Sequence, residues 1–319
     1  MTIVCTGSIA YDYLMTFPGY FKDHILQERL DCISLSFLVD SMVRQRGGTA
    51  PNIAYTLALL GDRPLVFGTV GEDFEDYRTW LESKHVDTTF ARLIPGVFTA
   101  SFFCNTDRSN AQIASFYPGA MGFASQLSLA ELTQYKVDMV VISPNDPQAM
   151  DRCVRECQQM GLPYLYDPSQ QVVRVSGEEL RRGVQGAYSL FCNEYEFELL
   201  QKHTGFSADE MRALVKILVV TLGDKGASIF TAGQEITVPV VPAREIVDPT
   251  GVGDAFRGGF LRGWQLGLDW ATCGQMGALA ATYVLEQRGP QSHSYTLPEF
   301  VARYRQHFDD HGALDVLTR

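Results

Sequence analysis

Residues 248–260 combine a glycine-rich turn with an acidic side chain. Gly251 and Gly253 flank Val252 immediately before a predicted helix. Such a turn points successive N–H groups outward, and the positive end of the helix dipole adds to them, so the turn suits an anion such as phosphate. Asp254 lies in the first helical turn, where its carboxylate can accept a proton from a hydroxyl that attacks phosphorus. A simple helix cap is the alternative role for Asp254.

Two common phosphate-binding patterns are excluded. The turn is not a dinucleotide fingerprint, because Phe256 stands where the third glycine belongs, and the P-loop pattern is absent from the chain. Arg257 follows on the same predicted helix, where it either reaches a phosphate or forms an ordinary surface ion pair. The segment therefore indicates a phosphate site of another kind.

A second glycine pair, Gly47 and Gly48, precedes another predicted helix. Paired glycines permit a ligand to approach the backbone, and the amide of Asn52 can donate to and accept from hydroxyl groups. The same residues also make a normal helix start, with Pro51 in the first turn. Asp12 follows the first predicted strand, where open α/β sheets bind ligands. These residues are candidates for contact with a polar ligand.

Short apolar runs alternate with helical patterns along most of the chain. This alternation is typical of βαβ units and of a parallel sheet covered on both faces. A hairpin with Gly233 at its turn and three helices complete the pattern. The predicted strands span residues 3–8, 65–70, 137–143, 163–166, 188–192, 216–222, 228–231 and 235–240. The predicted helices span residues 51–60, 74–83, 147–160, 194–203, 253–267, 270–285 and 298–308.

Two stretches, at about residues 13–45 and 97–117, do not fit this alternation. Both are rich in aromatic and β-branched residues without a helical period. They predict a small separate sheet, inserted twice into the main fold, that covers a site as a lid. Edge hairpins of the main sheet are the alternative interpretation.

Composition narrows the class of protein. The chain has 319 residues, of which 46% are apolar, and a formal charge of −11. An acidic surface repels phosphate backbones and anionic lipid, so we expect no nucleic-acid or membrane partner. No apolar run approaches the roughly 18 residues of a membrane span, and the first residues predict a strand rather than a signal peptide. Seven cysteines without a CxxC pair indicate reduced thiols and a cytoplasmic protein.

Four ordered motifs resemble those of the ribokinase-like (PfkB-type) carbohydrate and nucleoside kinases. Residues 248–256 resemble the C-terminal signature of this family and residues 44–60 its N-terminal glycine signature. Asn193 and Glu196 resemble its Asn-x-x-Glu motif, and residues 221–226 its nucleotide-binding turn. The resemblance implies a single domain over residues 1–319. Its fold would be a ribokinase-like three-layer αβα sandwich with a mostly parallel central sheet and a small β-sheet lid.

The resemblance also implies roles for individual residues. Asp254 corresponds to the catalytic base of the family, and the N–H groups of the turn correspond to its anion hole. The residues concerned are Gly251, Val252 and Gly253 for the anion hole, Asp12, Gly47, Gly48 and Asn52 for sugar hydroxyls, and Asn193, Thr221, Gly223 and Gly226 for the nucleotide.

ATP and Mg²⁺ are the implied cofactors. Glu196 corresponds to a residue that organises Mg²⁺ through water, which suits an ion that gives up its hydration shell reluctantly. Asp248 matches a region where some members bind a monovalent cation such as K⁺. Pro249 and Val252 replace the commoner Thr and Ala of the family. These replacements weaken the match to the family at the cation site more than at the catalytic base.

Residues 98–104 and 110–121 resemble the adenosine and nucleoside kinase members of the family. Aromatic side chains such as Phe102, Phe116 and Tyr117 are suited to stacking on a base, and Gln112 to reading its edge. The alternative is that these aromatics close the lid over any sugar. We therefore expect an ATP-dependent kinase of an adenosine-like nucleoside, with a ribose- or fructose-type sugar or sugar phosphate as the alternative acceptor.

Two other classes of function remain open. A non-catalytic regulator that binds nucleotides or sugars would keep the fold without turnover, but binding alone does not require the carboxylate of Asp254 or its flanking glycines. The second class is a structural role in a complex through the aromatic lid, which members of the family also use for dimerisation. A homodimer through the lid is therefore a further expectation.

Overall fold

The computed structural model describes residues 2–25 and 34–318. Strands and helices alternate through most of the chain, as the apolar runs predict. The strands are β1 (Thr2–Thr6), β2 (Ala10–Thr16), β3 (Ser41–Gly47), β4 (Leu65–Val70), β5 (Asp87–Leu93), β6 (Ala100–Thr106), β7 (Gln112–Tyr117), β8 (Val137–Ile142), β9 (Tyr164–Tyr166), β10 (Ser189–Asn193), β11 (Ile217–Thr221), β12 (Ala227–Thr231) and β13 (Gln234–Val238). The helices are α1 (Thr49–Leu59), α2 (Glu75–Ser83), α3 (Pro147–Met160), α4 (Gly177–Val184), α5 (Glu194–Thr204), α6 (Ala208–Leu214), α7 (Val252–Gln265), α8 (Trp270–Leu285) and α9 (Leu297–Tyr304).

Nine strands form the large sheet, in the order β13-β12-β11-β10-β9-β8-β1-β4-β5. The seven strands from β11 to β5 in this order pair in parallel, while β12 and β13 continue the sheet as an antiparallel hairpin. The carboxyl ends of the parallel strands therefore meet at one edge, where open α/β sheets bind their ligands.

Helices cover both faces of the large sheet. In β11, Ile217 and Val219 belong to one apolar core, and Leu218 and Val220 belong to the other. The first core is completed by α1, α2, α7, α8 and α9, and the second by α3, α4, α5 and α6. Burial on both faces explains why the strands appear in the sequence as continuous apolar runs. The predicted three-layer αβα architecture is confirmed.

The two aromatic stretches form a second, four-stranded sheet in the order β3-β2-β6-β7. They are not edge hairpins of the large sheet. Strand β2 begins at Ala10 and strand β3 ends at Gly47, so this pair extends beyond the predicted limits of 13–45. Strands β6 and β7 lie within the predicted limits of 97–117. Residues 26–33 of the first stretch lie outside the described residues.

The turn at residues 221–226 joins β11 to β12 through two glycines with positive φ. Gly226 has a φ of +94°, and a Cβ there would lie 2.0 Å from the carbonyl oxygen of Val238. Gly223 has a φ of +62°, with open space around the position of a Cβ. Only Gly226 is therefore required both by its φ and by the close approach of a neighbouring strand.

The two glycines predict unequal effects of an added methyl group. We expect Gly226→Ala to lower the free energy of unfolding by about 3 kcal/mol or more, because it combines backbone strain with a clash. Gly223→Ala, the matched control, is expected to cost about 1 kcal/mol, since only the left-handed conformation opposes it. Urea unfolding followed by circular dichroism measures both, and equal losses would contradict the assignment.

Candidate active site

A cleft of about 470 Å³ opens at the carboxyl edge of the large sheet. Strand ends supply its floor: Ser8 follows β1, Asp167 follows β9, and Asn193 and Thr221 end β10 and β11. The cleft brings together ten of the predicted site residues, namely Asp12, Gly48, Asn52, Phe102, Asn193, Glu196, Thr221, Gly251, Gly253 and Asp254.

Three helices begin at the cleft. The N-terminal caps of α1, α5 and α7 are Gly48, Asn193 and Gly251, and each of these residues lines the cavity. The helix dipole makes each of these ends partly positive, although the first N–H groups of α1 already donate to the side chain and the carbonyl of Ser8. Three such ends at one cavity suit a ligand that carries several negative charges.

Asp254, in the first turn of α7, is held by a chain of amide hydrogen bonds. Asn52 donates from Nδ2 to Oδ2 of Asp254 at 2.8 Å. Gln291 in turn donates from Nε2 to Oδ1 of Asn52 at 2.9 Å and also bonds the hydroxyl of Tyr77. Because its oxygen already accepts a bond, the Asn52 amide is fixed with its N–H group toward the carboxylate.

Burial raises the pKa of Asp254 to about 7. The loss of hydration outweighs the hydrogen bond from Asn52 and the positive charge of Arg257, both of which favour the ionised form. A carboxyl group with a pKa near neutrality is suited to accept and release a proton at physiological pH.

The turn before α7 is held in a left-handed conformation. Gly251 has a φ of +80°, and a Cβ there would lie 2.4 Å from Cβ of Pro290. The N–H of Val252 donates to the carbonyl of Pro249 at 3.3 Å, so one of the three predicted anion-hole donors is engaged within the turn. The N–H groups of Gly251 and Gly253 have no hydrogen-bond partner among the described residues. These two groups are free for an anion.

One row of the second sheet faces the cleft. Asp12 on β2 pairs with Phe102 on β6, which pairs with Phe116 on β7, and all three line the cavity. Residues directly opposite on paired strands lie on the same face of a sheet. Burial and the nearby charge of Asp248 raise the pKa of Asp12 to about 6. The row therefore combines one carboxyl group with two aromatic rings.

The Asn-x-x-Glu motif forms a capping box at the start of α5. The side chain of Asn193 accepts from the N–H of Glu196 at 2.7 Å, and Oε2 of Glu196 accepts from the N–H of Asn193 at 2.8 Å. Oε1 of Glu196 accepts from the hydroxyl of Ser169 at 3.0 Å. An ionised carboxylate offers about four acceptor sites, so Glu196 keeps capacity for a water-bound cation.

A buried ion pair joins α7 to the end of β9. Arg257 donates from Nη2 to Oδ1 of Asp167 at 2.7 Å and from Nη1 to the carbonyl of Gly253 at 2.8 Å. The side chains of Arg257 and Asp167 are only 7% and 2% exposed. Of the two roles considered for Arg257, the surface ion pair is excluded by this burial. Asp167 is not among the predicted site residues, although its position directly after an apolar strand was a usable signal.

The remaining predicted site residues lie outside this cavity. Gly47 lies beside it, since a Cβ added there would lie 2.5 Å from Oδ2 of Asp12. Val252, Gly223 and Gly226 do not line it. Gln112 is four residues from Phe116 on β7, a distance of about 13 Å along a strand. It lines a neighbouring cavity together with Asp248.

Asp248 connects two loops. Its Oδ1 accepts from the N–H of Thr250 at 2.9 Å and its Oδ2 from the N–H of Gly289 at 3.0 Å.

Across the described ranges, no group of three or more His, Cys, Asp or Glu side chains is arranged to hold a metal ion. In the same ranges, no helix has the length and apolar character needed to cross a membrane.

The chain is similar to known kinases over most of its length. The model of the pfkB family of carbohydrate kinases matches residues 11–297. A nucleoside kinase of Methanocaldococcus jannaschii is 29% identical over 307 residues, which cover 96% of this chain and 97% of that protein.

Solved structures agree with this match. The structure of the Methanocaldococcus jannaschii nucleoside kinase has a TM-score of 0.87 at 28% identity and covers 96% of this chain and 98% of that one. A Burkholderia thailandensis nucleoside kinase in complex with inosine has a TM-score of 0.85 at 37% identity, covering 97% of this chain and 98% of that one. The resemblance inferred from the four motifs is confirmed, and this chain belongs to the pfkB family of carbohydrate kinases.

Proposed function

We propose that the protein transfers the γ-phosphoryl group of ATP to a hydroxyl group of a nucleoside. The observation that carries this proposal is the position of Asp254. Its carboxyl group, with a pKa of about 7, lies at the start of α7 in the same cleft as Phe102 and Phe116. The similarity to two nucleoside kinases, one of them with inosine bound, supports a nucleoside as the acceptor.

Asp254 acts as the general base in this mechanism. Its carboxylate accepts the proton of the acceptor hydroxyl as the hydroxyl oxygen attacks the γ-phosphorus of ATP and the bond to the ADP leaving group breaks. The bond from Asn52 holds the carboxylate in place and stabilises its ionised form. The free N–H groups of Gly251 and Gly253 bind the transferring phosphoryl group and stabilise its charge.

The acceptor is held by polar groups on one side and aromatic rings on the other. Asp12, when ionised, accepts hydrogen bonds from sugar hydroxyls, and Asn52 has a second N–H with which to donate. Phe102 and Phe116 stack on the base. The second sheet therefore acts as a lid over the cleft. When it closes, Phe102 and Phe116 exclude water from the reacting groups.

The nucleotide and its cation occupy the other strand ends. Asn193, Thr221 and the turn at 223–226 contact ATP. Glu196 fits a magnesium ion held through water, since its carboxylate lines the cleft with acceptor capacity to spare. Magnesium, when bound, would neutralise charge on the ATP phosphates. Asp248 is the proposed position of a monovalent cation such as K⁺.

Two further proposals concern the cellular compartment and the oligomeric state of the protein. Each of the six cysteines in the described ranges is a buried free thiol, which supports a reducing compartment such as the cytoplasm. The second sheet exposes apolar side chains, among them Met42, Ile113 and Tyr117, which support a homodimer through this sheet.

Removal of the proposed base tests the chemistry. Asp254→Asn is expected to lower kcat by about 10²- to 10⁴-fold, because the acceptor hydroxyl loses its proton acceptor. ADP release with Mg²⁺, ATP and a panel of nucleosides and simple sugars measures turnover, and calorimetry measures ADP binding, which should be retained. The control is Asp209→Asn on α6, whose carboxylate is 91% exposed. Near-normal turnover of Asp254→Asn would remove Asp254 from the mechanism.

The pKa of Asp254 predicts an acid limb in the rate profile. Only the ionised carboxylate accepts a proton, so kcat/KM should rise with pH up to about 7 and then level off. Asn52→Leu removes a bond that lowers this pKa and should move the limb to higher pH. Asp12→Asn removes a negative charge that raises it and should move the limb to lower pH. If the acid limbs of the two variants do not move in these opposite directions, Asp254 is not the group whose ionisation sets the rate profile.

Base stacking is tested by two neighbouring phenylalanines. Phe102→Ala should raise KM for a nucleoside by about tenfold or more, since stacking on an aromatic ring stabilises a bound base by about 1–3 kcal/mol. Phe103→Ala is the matched control, because Phe103 is the next residue on β6 and stacks on Tyr13 instead. Steady-state kinetics give both values. Equal effects of the two variants, or turnover with sugars alone, would favour the sugar kinase alternative.

A further inference from the structure

The hydroxyl group of Tyr77 lies between the second sheet and the side chains that hold Asp254. It donates to the carbonyl oxygen of Gly47, the last residue of β3, at 2.9 Å. It also accepts a hydrogen bond from Nε2 of Gln291. Tyr77 belongs to the first turn of α2, is fully buried and does not line the active-site cleft. Any effect of Tyr77 on the reaction therefore passes through these two neighbours.

Both ends of this chain of hydrogen bonds accept and cannot donate. One end is the carbonyl of Gly47, and the other is the ionised carboxylate of Asp254. The tyrosine hydrogen is therefore directed to Gly47, and the tyrosine oxygen faces the amide nitrogen of Gln291. The second hydrogen of that nitrogen is left for Oδ1 of Asn52, 2.9 Å away. Each hydrogen in the chain has one fixed place.

Reversal of the two amide groups is opposed at Gly47. If Asn52 turned its oxygen toward Asp254, its N–H group would face Gln291, which would have to turn its own oxygen to accept the bond. The Tyr77 hydroxyl would then donate to this oxygen, and the buried carbonyl of Gly47 would lose its bond from Tyr77. The loss of a buried hydrogen bond is unfavourable. The bond from Tyr77 to Gly47 therefore favours the orientation in which Asn52 donates to Asp254.

Tyr77 also holds the start of α1. Gly47 precedes Gly48, the N-terminal cap of α1, whose carbonyl accepts from the N–H of Asn52 at 3.1 Å. A bond that fixes Gly47 therefore fixes the helix end that carries Asn52. The ring of Tyr77 packs against that of Tyr11 on β2, with 5.5 Å between the ring centres. Burial raises the pKa of Tyr77 well above its usual value, so its hydroxyl remains a donor.

We propose that Tyr77 is a positioning residue that keeps Asn52 oriented to donate to Asp254 and ties this orientation to the end of the lid strand β3. The inference rests on the proposed function, in which Asp254 is the general base. A donor held toward the carboxylate favours its ionised form, which is the form that accepts the proton. The other charged groups near Asp254 stay in place when Tyr77 is replaced; they are Arg257, Asp167 and Asp12.

The pH dependence of Tyr77→Phe tests the proposal. Without the hydroxyl group, we expect the acid limb of kcat/KM to move up by about one pH unit, because Asp254 ionises less readily. The value of kcat/KM should then fall about fivefold near pH 7 and return almost to that of the wild type near pH 9, where the base is ionised in both proteins. A purely structural loss would lower the rate at every pH.

Tyr55→Phe is the matched control. Tyr55 is only 1% exposed, and its hydroxyl also donates to a backbone carbonyl, that of His293, at 2.7 Å. Both variants lose one buried hydrogen bond and should lose similar stability against urea, whereas only Tyr77→Phe should move the acid limb. A limb that stays in place in Tyr77→Phe, or that moves equally in both variants, would overturn the proposal.

A double variant shows whether Tyr77 acts through Gln291. We expect Gln291→Leu to move the acid limb in the same direction as Tyr77→Phe. Tyr77→Phe added to Gln291→Leu should have little further effect, because the chain of hydrogen bonds is already broken. Shifts that add in the double variant would contradict the proposed route.

A measurement without turnover separates this inference from the proposed function. NMR titration of ¹³C-labelled aspartate carboxyl groups gives the pKa of Asp254, and Asp254→Asn identifies its signal. If the wild type phosphorylates no nucleoside or sugar, the proposed function fails, and the titration still decides the role of Tyr77. A pKa of Asp254 that is higher in Tyr77→Phe than in the wild type and in Tyr55→Phe supports the proposal, and an unchanged pKa overturns it.

Discussion

The hydrogen bond between Asn52 and Asp254 depends on how closely α1 and α7 pack. One turn further along both helices, Gly258 faces Thr56, and a Cβ on Gly258 would lie only 2.7 Å from Cβ of Thr56. The missing side chain lets the two helices approach until an amide on one reaches a carboxylate on the other. The orientation and the pKa of the proposed base therefore depend on a glycine that never touches the cleft.

The position of α7 is constrained from the opposite side as well. Gly259 packs against α8, where an added Cβ would lie 2.6 Å from the carbonyl of Met276. Glycines thus bring α7 close to its neighbours on two faces, and the buried pair of Arg257 with Asp167 joins it to the sheet. Breaking a buried ion pair by removing one partner is strongly destabilising, so this pair fixes the helix as well as the local charge.

The cleft concentrates carboxyl groups, although its proposed ligands are anions. Asp12, Glu196 and Asp254 all line it, in a protein that is acidic overall. Three helix N-termini and Arg257 offset this charge, and the raised pKa values of Asp254 and Asp12 mean that part of it is neutralised by protons near pH 7. The site therefore combines proton acceptors with an environment that still admits phosphate.

The sequence by itself determined the layers and most of the cleft. Runs such as residues 217–220 predict strands because they are apolar on both faces, and the glycine turns mark helix starts. Local signals were also overlooked: the capping box of Ser176 and Glu179 marks α4, which the apolar pattern did not reveal. The tertiary structure alone decided that Phe102 lines both the cleft and a neighbouring cavity whereas Gln112 lines only the latter, and that Arg46, Trp80 and Arg288 share a pocket. The reason is physical: local pattern sets the type of an element, whereas strand register and helix packing set which side chains meet across distant segments.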